Sequence, residues 1–358
     1  MPFVLKPWLN RPYLDLSAAF SLKRLPSSII ISGDLRLNTA NLAVKTAMLY
    51  LCDHPEGNEP CGKCKSCQML MDEGLSHPDF LAVLSSTKDA FDKGADLSHR
   101  VLDLYENAED SSGTSLRIDS LRHFQEWASQ STMGSHGKVA VISNAHLMPE
   151  AAANAILKTF EEPPQDTLII MLTKSLDALL PTILSRAFKV SVSAPDVDVA
   201  TQELLDMQVD VTYAHQALAL SGYAPSLAVT LIKSGKILKV LEIVDALANT
   251  LSKKVDPIFF VEKILENDKD KKSSVFTQEE RVQILSEFVL ELLKYKAGIT
   301  QDKLPLLLNV DAKALVYIQA ENLFASLQRL KFIKGGNNLS PIRAMQAVMR
   351  DFVNSLMS

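Results

Sequence analysis

All four cysteines of the chain lie within sixteen positions, in the stretch CDHPEGNEPCGKCKSC that runs from residue 52 to residue 67. Eight residues separate Cys52 from Cys61, and two C-x2-C steps then lead to Cys64 and Cys67. Two such steps sharing Cys64 allow the thiolates to converge, and four thiolates around one tetrahedral ion is the arrangement that zinc prefers in structural sites. The spacing therefore predicts one structural Zn²⁺ with the ligands Cys52, Cys61, Cys64 and Cys67.

A catalytic role for this metal is not expected, because a catalytic zinc normally keeps one open position and a four-cysteine set leaves none. The loop itself has few apolar residues, and structural zinc in peptides contributes on the order of 10 kcal/mol to folding. We therefore expect a clip that orders the loop. The alternative reading is a set of unligated thiols.

The composition indicates a globular protein with more than one domain. The chain has 358 residues, of which 47 % are hydrophobic and 22 % charged, and its formal net charge is −5. This balance excludes a disordered chain and gives no overall basicity for nucleic-acid binding. The sequence MPFVLKPWLNRPYLDL has no charged leader followed by an apolar run, so we expect a cytoplasmic protein. Thiols in that reducing compartment favour metal binding over disulfides.

Strand-like and helical segments alternate in the first half of the chain. The strand-like runs are SIIISG (28–33), FLAVL (80–84), KVAVIS (138–143), TLIIMLT (167–173) and AFKVSVS (187–193). Between them lie segments with helical spacing of apolar residues, such as NTANLAVKTAMLYLC and PEAAANAILKTFEE. Apolar strands that alternate with helices predict a parallel sheet covered on both faces. Residues 1–194 are thus predicted to form one α/β domain.

The rest of the chain is predicted to be helical. Strand signals stop after Ala194 and Pro195, a compact helical unit follows over 195–235, and helical segments continue over 236–358. The segment at about 85–115 is rich in Asp, Ser and Gly and is predicted to be an insertion from the sheet. These boundaries predict three domains.

The turn after the first strand is where a doubly wound fold would bind a phosphate group. A phosphate loop has the pattern G-x-x-x-x-G-K-[ST], and in this register the chain has Gly33, Asn38, Thr39 and Ala40. Thr39 lacks the charge that a Lys brings to the phosphates, and Ala40 cannot ligate Mg²⁺. We predict that this degenerate loop does not hold ATP.

The end of the strand-like run KVAVIS lacks the second half of a nucleotide-hydrolysing site. Ser143 and Asn144 stand where carboxylates would be required to hold Mg²⁺ and polarise water. Both halves of an ATPase site are therefore missing together. An active ATPase with unconventional ligands is the alternative.

The stretch AAANAILKTFEEPPQDTLIIMLTKSLDALLPTILSRAFKV (151–190) closely resembles one shared by bacterial clamp-loader subunits, with its K-T-x-E-E-P-P helix end and its T-x-x-S-R-C turn. Together with PWLNRPYLDL, the four-cysteine loop and the lost phosphate loop, it identifies the chain as a member of the AAA+ clamp-loader family. The resemblance covers residues 7–194 well and the remainder more weakly.

This resemblance implies an α/β AAA+ core with a P-loop NTPase-like parallel sheet (1–194), a small helical lid (195–235) and an all-α collar (236–358). It also implies a DNA polymerase III clamp-loader subunit that assembles with gamma or tau and delta subunits. The assembled complex loads the sliding clamp onto primed DNA at the replisome. The chain would be part of a DNA-directed DNA polymerase complex without ATPase activity of its own.

Arg186, in ILSRAF, matches the arginine that family members extend to the ATP of a neighbouring subunit. A guanidinium supplied in trans can stabilise the charge on a transferring phosphoryl group. The alternative is an arginine in a local ion pair. Ala187 replaces the Cys of the family motif, so altered packing is expected beside the arginine. Thr173 matches the sensor position and is expected to be structural.

Direct DNA binding by this chain has only weak signals. Lys23 and Arg24 near the start, and a trio in the predicted collar formed by Arg329, Lys331 and Lys334, are expected to be solvated surface residues. A third hypothesis is a zinc-dependent nucleic-acid reader built on the cysteine loop. That loop has only Lys63 and Lys65 as basic residues and no aromatic residue for base stacking, which argues against it.

Overall fold

The structure is a computed structural model that describes residues 5–71, 77–83, 116, 118–134, 136–209, 211–251 and 278–317. The chain divides into two compact units, Met1–Pro195 and Asp196–Ser358. The insertion predicted at about 85–115 and the basic trio at 329–334 lie outside the described residues. The division of the second unit into lid and collar remains a prediction.

Five parallel strands form the sheet of the first unit, one in each strand-like run of the sequence. They are β1 (Ser28–Ser32), β2 (Phe80–Val83), β3 (Lys138–Ile142), β4 (Thr167–Thr173) and β5 (Phe188–Ser191), in the order β2-β3-β4-β1-β5. Ser32 pairs with Thr173 and Ile142 pairs with Met171. The carboxyl ends of β1, β3 and β4 therefore meet at one edge of the sheet, where ligands bind in open α/β folds.

Helices cover both faces of this sheet. Those of the first unit are α1 (Asn10–Ser21), α2 (Thr39–Leu51), α3 (Lys65–Met71), α4 (Ile118–Ser129), α5 (Glu150–Glu161) and α6 (Pro181–Leu184). Ile30 and Met171 form one buried cluster with Phe124 of α4 and Ile156 of α5. Successive strand residues point to opposite faces, and α2 contacts β1, β3 and β4. The predicted α/β class, a parallel sheet between helical layers, is confirmed.

The described part of the second unit consists of helices and turns. Its helices are α7 (Val197–Asp206), α8 (Ala214–Leu220), α9 (Pro225–Lys233), α10 (Lys236–Leu251), α11 (Gln278–Lys296) and α12 (Ala312–Tyr317). Leu204, Leu218, Val240 and Phe288 belong to one buried cluster, so helices on both sides of residue 235 share a core. No helix in the described ranges is long and apolar enough to cross a membrane.

A carboxyl group is buried in this helical core. Glu291 of α11 is 3 % exposed, and its Oε2 accepts a hydrogen bond from the backbone N–H of Leu306 at 2.8 Å. Its Oε1 has no hydrogen-bond partner among the described residues. Burial raises the pKa of Glu291 to about 7, although the N–H of Leu306 and the charge of Lys294 act in the opposite direction. The protonated form is therefore the one that the fold favours.

Replacing Glu291 with Gln is expected to stabilise the helical unit at pH 8 by about 1–3 kcal/mol. Because the pKa of Glu291 is raised to about 7 in the folded state, the protonated carboxyl favours folding at pH 4. This stability is lost as the pH rises through about 7, and Gln, which does not titrate, removes the pH dependence. Urea unfolding followed by circular dichroism at pH 5 and pH 8 measures the effect. Glu242→Gln, on the exposed part of α10, should leave the pH dependence intact. Equal pH dependence in Glu291→Gln and the wild type would contradict this expectation.

Candidate metal centre and nucleotide cleft

The four cysteine sulfurs converge in the fold. All four Sγ atoms lie within 4.8 Å of one another, and those of Cys52 and Cys64 are 3.9 Å apart. A tetrahedral ion with Zn–S bonds of about 2.3 Å requires sulfurs about 3.8 Å apart. All four cysteines are free thiols. The group is therefore able to bind one metal ion.

Two helices carry the outer members of the cysteine group. Cys52 directly follows the last residue of α2, and Cys67 lies in the first turns of α3. Cys61 and Cys64 lie on the loop between these helices, where Gly62 adopts a left-handed φ of 66°. Glycine adopts a left-handed φ without the steric cost of a Cβ, so Gly62 allows the tight turn between the two inner cysteines.

Backbone N–H groups point at the sulfurs. Cys61 donates to the Sγ of Cys52 at 3.3 Å, and both Lys63 and Cys64 donate to the Sγ of Cys61 at 3.4 and 3.3 Å. Cys67 donates to the Sγ of Cys64 at 3.4 Å. The bonds from Lys63 and Cys64 lower the pKa of Cys61 to about 6. Such donors stabilise thiolates, which are the form that binds a metal.

Burial acts against thiolates at the two outer cysteines. Cys52 is 2 % exposed and Cys67 is fully buried, and burial raises the pKa of both thiols. A coordinated cation compensates for this cost, because a thiol that binds a metal is deprotonated outright. The donor set thus fits a metal ion, with two buried ligands and two that are partly exposed.

The cysteine loop is anchored to α1 and α2 by polar contacts. Tyr13 donates its hydroxyl to the backbone oxygen of Asn58 at 2.9 Å, and Lys45 lies 2.8 Å from the carboxylate of Glu59. The ammonium of Lys45 also lies 4.3 Å from the centre of the Tyr13 ring. The thirteen-residue α2 separates this loop from the turn after β1, a span of about 20 Å. A metal at the cysteines therefore lies far from the nucleotide cleft.

In the turn between β1 and α2, the backbone at Gly33 packs closely against a neighbouring strand end, as the first glycine of a phosphate loop does. A Cβ added to Gly33 would lie 2.7 Å from the backbone oxygen of Val192, so this position admits only glycine without movement. Gly33 also donates its N–H to the oxygen of Thr173 at 2.9 Å. Asn38 has a left-handed φ of 60° just before α2 begins, where the phosphate-loop pattern has its second Gly.

An ion pair within the chain occupies this turn. The carboxylate of Asp34 accepts hydrogen bonds from the backbone N–H and the Nε of Arg36, both at 2.9 Å, and from its Nη2 at 2.6 Å. Burial tends to raise the pKa of Asp34, but Arg36 and the charge of Lys174 hold that pKa below its usual value. A carboxylate of the chain therefore takes the donors of Arg36 that a phosphate could otherwise use. This pair was not among the residues predicted from the sequence, although Asp34-x-Arg36 is visible there as a local charge pattern.

The degenerate positions have neutral and mostly enclosed side chains. Thr39 is fully buried and its Oγ1 has no hydrogen-bond partner among the described residues, while Ala40 is 1 % exposed. Ser143 and Asn144 follow β3 and are 1 % and 7 % exposed. Thr173 uses its hydroxyl within its own turn, where it donates to the backbone oxygen of Ser175 at 2.8 Å. The described geometry of Thr173 fits a structural role.

Arg186 lies just after α6 and is half exposed. Its Nε is 3.2 Å from Oε1 of Glu161, the last residue of α5. Its Nη1 donates to the backbone oxygen of Thr182 at 3.4 Å and to the Oγ of Ser185 at 3.3 Å. Ala187 packs against the buried cluster below α5. The local ion pair considered in the sequence analysis is therefore present, and the guanidinium still reaches solvent.

Comparison with known proteins places these features in a family. A family model described as DNA polymerase III, delta subunit, matches residues 10–196, which is more than half of the chain. The DNA polymerase III subunit delta' of Yersinia pestis is 27 % identical over 312 residues, covering 84 % of this chain and 81 % of that protein. The delta' subunit of Escherichia coli is 27 % identical over 230 residues, covering 63 % of this chain and 60 % of that protein.

Two solved structures align with most of the chain. A gamma subunit-related protein of DNA polymerase III from Thermotoga maritima aligns with a TM-score of 0.46 and 17 % identity, covering 96 % of this chain and 99 % of that one. The clamp loader delta protein of Bacillus subtilis aligns with a TM-score of 0.34 and 9 % identity, covering 96 % of this chain and 99 % of that one.

Proposed function

Because the chain belongs to the DNA polymerase III delta subunit family, we propose that it is a delta'-type clamp-loader subunit that does not hydrolyse ATP and lends Arg186 to a neighbouring ATP site. Its relatives that bear the name delta' support this choice within the family. In this role the chain assembles with gamma or tau and delta subunits. Through the assembled ring it helps load the sliding clamp onto primed DNA.

The observation that carries the non-hydrolysing role is the state of the cleft at the end of β1. The carboxylate of Asp34 lies in this turn and is hydrogen-bonded to Arg36. No carboxylate follows β3, where Ser143 and Asn144 stand. A nucleoside triphosphate would meet the negative charge of Asp34 in this turn and the neutral Thr39 where the pattern has a Lys, and it would lack carboxylate ligands for Mg²⁺.

In this proposal Arg186 is the residue of this chain that acts on ATP bound by a neighbouring subunit. Its side chain is 46 % exposed, and an exposed ion pair such as that with Glu161 is worth only about 0–1 kcal/mol. The guanidinium is therefore available to a neighbour's phosphates at little energetic cost. We propose that the four cysteines bind zinc. The zinc would crosslink the cysteine loop and would have no role at the turn after β1.

The lone chain is expected not to bind ATP. A ligand with a Kd of about 10 µM, present at about 1 mM with Mg²⁺, would stabilise the fold by about 2.7 kcal/mol and raise Tm by roughly 5–10 °C. We expect no such shift in a thermal melt, and no heat of binding by calorimetry. A clamp-loader subunit with an intact phosphate loop serves as the positive control. ATP-dependent stabilisation of the lone chain would contradict the proposal and favour an unconventional ATPase.

A further inference from the structure

The guanidinium of Arg186 is held on one side and open on the other. Glu161 engages Nε at 3.2 Å, while Thr182 and Ser185 accept hydrogen bonds from Nη1. Nη2 makes no hydrogen bond or ion pair with the described residues. The guanidinium plane is thus oriented by contacts at two of its three nitrogens, and the third remains available for a ligand.

The contact with Glu161 joins two separate elements. Glu161 ends α5, whereas Arg186 follows α6, so the ion pair links groups that are 25 positions apart in the sequence. The contacts of Nη1, by contrast, come from residues within the same turn as Arg186. Glu161 is therefore the contact that fixes the orientation of the guanidinium relative to α5.

Both helices beside the ion pair are anchored in the buried core. α5 is anchored by Ile156 and Phe160, both buried against the sheet, and α6 by the buried Ile183. A guanidinium on a long flexible side chain loses considerable rotamer entropy when it binds a phosphate in one orientation. A carboxylate on a fixed helix end reduces that loss, because the side chain is already oriented before the phosphate arrives.

We propose that Glu161 is a positioning residue for Arg186, holding its Nε so that Nη2 is presented to the phosphate groups of a nucleotide on an adjacent subunit. The inference rests on the proposed function, in which Arg186 acts in trans. Glu161 acts through Arg186 and does not itself approach the nucleotide. The carboxylate removes no proton and forms no covalent bond, so the proposed effect is on the orientation of the guanidinium.

The neighbouring Glu162 offers a matched control. It is exposed, it directly follows Glu161, and its side chain makes no hydrogen bond or ion pair with the described residues. Replacing either glutamate removes the same charge from the same helix end. A difference between the two variants therefore reports the contact with Arg186 and not the general electrostatic field.

The test is the ATPase of a reconstituted clamp loader with clamp and primed DNA, measured as kcat and KM for ATP. We expect Glu161→Ala to lower kcat about three- to tenfold with KM nearly unchanged, and Glu161→Gln, which keeps the side-chain length and a terminal oxygen but loses the charge, to lie between Glu161→Ala and the wild type. Glu162→Ala should match the wild type. In the Arg186→Ala background, Glu161→Ala should cause no further fall, because its effect passes through the arginine.

Several results would overturn the inference. They are an unchanged or increased kcat in Glu161→Ala, an equal effect of Glu162→Ala, or a full additional loss from Glu161→Ala when Arg186 is already absent. Size-exclusion chromatography establishes that each variant assembles. Arg186→Ala alone separates the two levels of the argument. If it leaves the rate unchanged the proposed function fails, whereas if only Glu161→Ala is silent the positioning role alone fails.

Discussion

Replacing Arg186 with Ala is expected to lower the ATPase rate of the reconstituted clamp loader by roughly tenfold or more, while the complex still assembles. Arginines supplied in trans to a phosphoryl-transfer site are worth about 10³–10⁵ in rate at that site, so a site that loses this guanidinium should hydrolyse ATP very slowly. The measurement is steady-state hydrolysis with clamp and primed DNA present. The wild-type chain and the variant are compared at equal concentrations of assembled complex.

The structure gives reasons to expect a functional effect without a folding defect. The side chain of Arg186 is 46 % exposed, and the ion pair with Glu161 is solvated on both sides. Thermal unfolding of the isolated variant should therefore lie within about 0–1 kcal/mol of the wild type. Arg186→Lys provides a second comparison, because an ammonium keeps the charge but not the planar fork. An unchanged hydrolysis rate in Arg186→Ala would leave the chain as a scaffold alone.

Replacing Cys64 with Ala is expected to release the metal and loosen the loop from residue 52 to residue 67. Cys64 is shared by both C-x2-C steps, and its Sγ lies 3.9 Å from that of Cys52. Structural zinc is worth on the order of 10 kcal/mol in peptides, so loss of one of four ligands should strongly reduce affinity. Metal content after dialysis against a chelator, measured by mass spectrometry, and hydrogen exchange of the loop report the two effects.

The remainder of the chain should stay folded when the metal is lost. The second unit, Asp196–Ser358, has its own buried core, and the sheet is packed by a cluster that includes Ile30, Phe124 and Ile156. Ser66→Ala, a change between two ligands at a residue bonded to Asp53, is the control and should keep its metal. Unfolding of the whole chain on metal removal, or full metal content in Cys64→Ala, would count against a structural clip.

Much of the fold was predictable because its signals are local. Each strand-like run, such as TLIIMLT, forms a strand of the parallel sheet. A continuous apolar run is typical of a strand that helices cover on both faces, and this pattern is visible in the run itself. The helical spacing of apolar residues in PEAAANAILKTFEE likewise predicted α5, which runs from Glu150 to Glu161. Strand order was not predictable in this way, because it depends on which strands pair across long stretches of chain.

The candidate site divides along the same line. The spacing of four cysteines, and the absence of Lys at Thr39 and of carboxylates at Ser143 and Asn144, are facts of the sequence alone. The cysteine spacing indicated a metal site, and the absent residues indicated that the groups for ATP hydrolysis are missing. These properties depend on residue type and short spacing, which folding does not change.

Only the tertiary structure decided which side chains meet. In the folded chain Glu161 contacts Arg186 although 25 positions separate them. The hydroxyl of Thr173 donates to the backbone oxygen of Ser175, and Asp34 pairs with Arg36 in the turn after β1. Contacts of this kind arise from the packing of helices on the sheet and from the rotamers that this packing leaves open. A charge pattern in the sequence offers several possible partners, and the geometry of the folded chain selects among them.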